Sequence, residues 1–77
     1  MKIYCIVDNL ETEVGVKLAG GDGIILNDEA EIINKIDEVV ENSSIGVLVV
    51  TKNIYDLARE KIDGIRLNKK LPLIAII

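Results

Sequence analysis

Ile3-Tyr4-Cys5-Ile6-Val7 opens the chain with an unbroken apolar run behind Lys2, and a run so short and so rich in β-branched residues predicts a strand over Lys2–Val7. From about Asn9 to Ala19 the spacing changes. Leu10, Val14 and Leu18 recur four apart, which stacks them on one helical face and predicts that this face turns inward. Asp8 or Asn9 stands at the cap position, with Glu11 and Glu13 in the first turn. Gly20 or Gly21 then supplies the left-handed residue that ends the helix.

Gly23–Leu26 is a short second strand. Asp28-Glu29-Ala30-Glu31 has the spacing of a capping box and opens a second helix. Its apolar residues Ile32, Ile33, Ile36, Val39 and Val40 lie along one stripe until Asn42-Ser43-Ser44 closes it. Ile45–Val50 is apolar on both alternating faces, as a central parallel strand is when helices cover it above and below. Thr51 or Asn53 can cap a third helix with Ile54, Leu57, Ala58 and Ile62 inward, after which Gly64 and Asn68-Lys69-Lys70 punctuate the chain. Leu71–Ile77 reads as the last strand.

The alternation is βαβαβαβ without linker or repeat, so residues 1–77 are expected to form one α/β domain of three layers. Right-handed crossovers and the shortness of the second strand favour a four-stranded parallel sheet of order 2-1-3-4, doubly wound as in Rossmann-like and receiver-like folds. That order puts the first helix alone on one face. Strands lie ~4.8 Å apart and a helix with its side chains is ~10 Å across, so one helix shields about two strands. The other half of that face, over strands three and four, is expected to be bare and to need a cover. Val47, Val49, Leu73, Ile74, Ile76 and Ile77 are the candidate partner-contact residues, although parity cannot be read where both faces are apolar. Gly15, costly in mid-helix, suggests a close approach of the first helix to the sheet or to a partner.

Composition narrows what such a domain can do. The net charge of −4 is spread along the chain, and only Tyr4 and Tyr55 are aromatic, which argues against a nucleic-acid partner. The lone Cys5 makes no internal disulfide and, with no cationic cluster near it, reads as core. No apolar run approaches the ~20 residues that span a bilayer as a helix, so direct membrane insertion is not expected and a cytoplasmic location is.

Chemistry is sparse. The glycines of Gly20-Gly21-Asp22-Gly23 follow a helix instead of preceding one, and Asp8, Glu11 and Glu13 occupy the turn where a phosphate would sit, so no nucleotide cofactor is expected. Asp8 resembles the acidic corner that holds magnesium in receiver domains, yet the central strand ends Val50-Thr51-Lys52, without the phosphoacceptor aspartate. Its expected role is that of a helix cap, and no metal is expected. There is no histidine, and no pair of tuned carboxylates or lysines stands at convergent positions, so no catalytic residue is assigned. Lys69-Lys70 reads as a solvated turn guarding an edge strand.

Val7-Asp8 followed by Thr12-Glu13-Val14-Gly15-Val16-Lys17-Leu18-Ala19-Gly20 resembles the first-helix pattern of the family of V/A-type ATP synthase F subunits. Ile45–Thr51, continuing through Ile54 and Ala58 to Ile62-Asp63, resembles its second landmark, and Leu71-Pro72-Leu73-Ile74 its proline-bearing last strand. Val16 departs from the pattern, since the family usually carries an aromatic residue there. The resemblance covers essentially the whole chain and implies the globular part of the F subunit, without the helical tail that normally follows. It also implies a non-catalytic rotor component of the central stalk, peripheral to the membrane. Its partners would be the coiled-coil D subunit and neighbouring stalk subunits, with self-association possible for a chain lacking the tail. The alternatives are a receiver-like signalling module without its phosphoacceptor and, less favoured by the acidic first turn, a nucleotide-binding fragment.

Overall fold

The computed structural model describes residues 1–77. Its elements run β1 (Lys2–Val7), α1 (Leu10–Leu18), β2 (Asp22–Ile25), α2 (Glu29–Glu41), β3 (Ile45–Val50), α3 (Lys52–Leu57), α4 (Arg59–Asn68) and β4 (Leu73–Ile76). The sheet has the order β2-β1-β3-β4 with every neighbouring pair parallel. This is the three-layer, doubly wound arrangement that the alternation predicts.

Register sorts the side chains. Ile3 lies beside Val47 and Cys5 beside Val49, while Val47 pairs with Leu73 and Val49 with Ala75. Alternation along each strand therefore gathers Ile3, Cys5, Val7, Val47, Val49, Leu73 and Ala75 on one face. Tyr4, Ile6, Leu48, Val50, Ile74 and Ile76 point to the other.

That second face carries the main core. Ile32, Ile36 and Val39 of α2, Ile54 of α3, and Ile62 and Ile65 of α4 close over Ile6, Leu48 and Val50 in one buried cluster. Fully burying a side chain of this size stabilises the fold by roughly 1.5–3 kcal/mol, so most of the favourable burial lies here. The α2 stripe read from the sequence is the buried one, with Ile33 and Val40 packed at its margin. Asp28 caps the helix as its spacing predicts, accepting a hydrogen bond from the Glu31 N–H at 3.0 Å.

The expected third helix is two. Ala58 leaves helical geometry at φ −125°, ψ 31°, its N–H closing α3 on Ile54 O at 3.1 Å and its carbonyl accepting from the Ile62 N–H at 3.0 Å to open α4. The bend lets Ile54 and Ile62 both reach the core and leaves Leu57, expected inward, 43% exposed. Gly64 does not punctuate the chain. It lies within α4, which continues to Asn68.

The other face is treated differently. α1 is alone on it and buries no residue completely. The expected inward stripe points outward, with Leu10 64%, Val14 42% and Leu18 85% exposed. The helix rests instead on its opposite side, where Thr12, Glu13 and Val16 are partly covered. The reason lies in the floor beneath. A Cβ on Gly23 would fall against Cys5 Sγ and 2.6 Å from its carbonyl oxygen, and one on Gly21 would lie 2.7 Å from Val16 Cγ1. The helix thus lies close over a floor of small residues, and Val16 is the apolar contact that fills the gap.

Candidate interface flank and polar notch

α1 packs against β1 and β2, which leaves the β3–β4 half of its face uncovered. Val47, Val49 and Ala75 are only partly buried, and Ile3 is exposed. Leu73 is 59% and Ile77 61% exposed. Ile77 continues the β4 ladder, its N–H donating to Val50 O at 2.9 Å and its carbonyl accepting from the Lys52 N–H at 3.0 Å. Alternation then puts its side chain with Leu73 and Ala75. The structure brings four of the six sequence-predicted residues together: Val47, Val49, Leu73 and Ile77. Ile74 and Ile76 lie on the opposite face, packed against the main core, because the β3–β4 register pairs them with Leu48 and Val50. Ile3 and Ala75 complete the flank and were not legible without the β1–β3 and β3–β4 registers.

The border of this flank is the small-residue edge of α1. Thr12, Gly15 and Ala19 share one helical stripe, and Thr12 lines a cleft together with Ile77. An added Cβ on Gly15 would meet nothing within 4 Å, so its expected close approach to the sheet does not occur. The low wall is open.

At the carboxyl end of the sheet the flank runs into a polar notch of about 370 Å³, lined by Asp8, Asn9, Thr12, Thr51, Lys52, Asn53 and Ile77. The notch sits between β1 and β3, the switch point at which the strand order reverses. Of the two candidate caps of α1, Asp8 and Asn9, it is Asn9 that takes the role, its Oδ1 accepting from the Thr12 N–H at 2.8 Å. The Asp8 carboxylate turns across the switch point, where Oδ2 accepts from Asn53 Nδ2 at 2.7 Å and Oδ1 from Asn9 Nδ2 at 3.2 Å. The Asn53 amide, then the nearby Thr51 hydroxyl, hold the Asp8 carboxyl below its usual range. Thr51 itself is 8% exposed, and its Oγ1 is buried without a partner at hydrogen-bonding geometry.

Other polar groups are occupied or remote. Lys52 and Arg59 share Asp56, at 3.4 and 3.0 Å. The Tyr55 hydroxyl donates to Asp63 at 2.7 Å, which raises its pKa. Burial pushes the Cys5 thiol up, away from the thiolate that reacts. Lys69 and Lys70 are exposed in the turn before β4. No three acidic, cysteine or histidine side chains come together to hold a metal, and no helix is long and apolar enough to cross a membrane.

The fold and the flank define a class: a small doubly wound α/β protein with one sheet face closed by its own helices and the other closed only halfway. Residues 3–77 match the family of ATP synthase (F/14-kDa) subunits, and the chain belongs to that family. It is similar to the A-type ATP synthase F subunit of Methanothrix thermoacetophila, with 29% identity over 73 residues that span 94% of this chain and 74% of that protein.

Proposed function

We propose that this chain is a non-catalytic component of the central rotor stalk of a V/A-type rotary ATPase, its residues 1–77 forming one globular domain that grips the coiled-coil D subunit. In this reading it works on the cytoplasmic side, peripheral to the membrane, and helps couple ATP turnover to ion transport without an active site or cofactor of its own. One observation carries it: the uncovered flank of Ile3, Val47, Val49, Leu73, Ala75 and Ile77. Two strands about 4.8 Å apart offer the width on which one helix of about 10 Å can lie, and a rotor component must hold its neighbour through apolar contact that resists torque.

The test is co-purification of the chain with the coiled-coil rotor protein of such a complex, followed by Leu73→Glu and Val47→Glu. A charge placed in the centre of an apolar contact weakens binding by tenfold or more, an effect of at least ~1.4 kcal/mol. A chain that stays a monomer indifferent to the coiled coil, or a complex untouched by both variants, overturns the reading.

A further inference from the structure

The notch at the switch point holds more polar capacity than its one structural bond, Asn53 to Asp8, uses. Asn9 supplies the cap of α1, so Asp8 is not needed for that purpose. No lysine or arginine pairs with Asp8, since Lys52, the only cation on the notch, lies against Asp56. Each Asp8 oxygen accepts one amide hydrogen, and an ionised carboxylate has about four lone-pair sites, so each oxygen can accept another. Beside it stands Thr51 Oγ1, buried and without a partner at hydrogen-bonding geometry; its proton can serve the Asp8 carboxylate it helps to stabilise, which leaves its lone pairs without a donor.

What remains open is thus acceptor capacity around one negative charge. A hard divalent cation is a poorer match: calcium takes six to eight oxygen ligands and magnesium one or two carboxylates with its waters, whereas this notch offers a single carboxylate whose two oxygens already each accept an amide hydrogen, and no acidic cluster adjoins it. A guanidinium or ammonium group is a good match. It carries several donors and no acceptor, and a carboxylate with a neighbouring hydroxyl oxygen can receive them. Ile77 lines the notch and also belongs to the apolar flank. A segment lying on the flank would therefore have one end beside Asp8.

We propose that the Asp8–Thr51 notch receives an arginine or lysine side chain from the helical partner, pinning one end of a helix whose apolar side covers the flank. This inference rests on the rotor reading above and deepens it: the flank supplies adhesion, and the notch sets register along the partner. A single charge pair at the end of an apolar contact fixes position more than it adds affinity.

The experiment uses the chain with the coiled-coil rotor protein. Asp8→Asn keeps the shape of the side chain and removes its charge. It is expected to raise the dissociation constant about tenfold at low salt and to flatten the salt dependence, while Thr51→Val gives a smaller loss. In the unmutated protein, the carboxyl carbon of Asp8, followed by NMR, should titrate at lower pH in the complex than in the free chain. Binding of Asp8→Asn within twofold of the original, or an Asp8 titration unmoved by the partner, overturns the notch while leaving the rotor reading intact. Failure of the unmutated chain to bind at all overturns both. Magnesium added alone at millimolar concentration should leave the Asp8 and Asn53 amide signals in place, and a saturable shift would overturn the proposal by making the notch an ion site instead.

Discussion

Single positions decide more in this molecule than their side chains suggest. Asp8 and Asn9 stand together at a strand-to-helix junction, and the one that caps releases the other. A Cβ on Gly23 would strike Cys5, so Gly23→Ala overpacks the strip beneath α1 and should cost about 1–3 kcal/mol in urea unfolding. Gly15 has open space around it, and Gly15→Ala in the isolated chain should gain up to ~1 kcal/mol from helix propensity. Asp8 also links stability to pH. Its folded pKa is depressed, so the carboxylate contributes stability that is fully present above its unfolded value of about 3.9 and is lost as pH falls through the folded value. Denaturation midpoints of Asp8→Asn should therefore decline less steeply below about pH 4 than those of the parent chain. The pairing of residue type with position was legible in the sequence. Which of two adjacent capping residues would turn toward α3 was not, because that depends on Asn53, far away along the chain.

Among the elements, α2 was fully legible and α1 was not, for the same physical reason. Five apolar residues of α2 crowd one stripe, with polar residues on the opposite side, so only one orientation buries it well. In α1 the trio Leu10, Val14 and Leu18 and the single Val16 compete for the sheet. The trio wins in sequence and loses in the fold, because the floor of Gly21, Gly23 and Cys5 admits a close approach of the Val16 side. Leu18→Ala should accordingly change unfolding free energy by less than about 0.5 kcal/mol, as surface substitutions usually do. Ile36→Ala, fully buried in α2, should cost about 2–5 kcal/mol. Thermal or urea denaturation of the two variants checks the inversion of α1 directly. The helix end was legible: Gly20 takes φ 99°, with its N–H on Lys17 O at 3.1 Å and that of Gly21 on Val16 O at 3.0 Å, the paired bonds of a Schellman motif. The break at Ala58 left no such trace, since alanine is a good helix former and the bend answers to the core below it.

For the molecule as a whole, strand order and the uneven covering of the sheet could be reasoned out from element order alone. Face assignment could not, because Ile45–Val50 and Leu71–Ile77 carry apolar residues at odd and even positions alike, and only the β3–β4 register separates Leu73 from Ile74. With its flank bare, the free chain should bind a hydrophobic dye such as ANS, and Leu73→Glu or addition of the coiled-coil partner should suppress the fluorescence. A free chain with no dye binding would show that the flank is closed in solution.

The backbone of Ile77 hydrogen-bonds to both Val50 and Lys52, which carries a practical consequence for anyone building reagents from this protein. A purification handle fused after Ile77 emerges beside Asp8 and shadows the very surface under test. One fused ahead of Met1 leaves from the opposite end of the strands, two residues from Ile3 of the flank but away from Asp8, so the titration of Asp8 would not notice it.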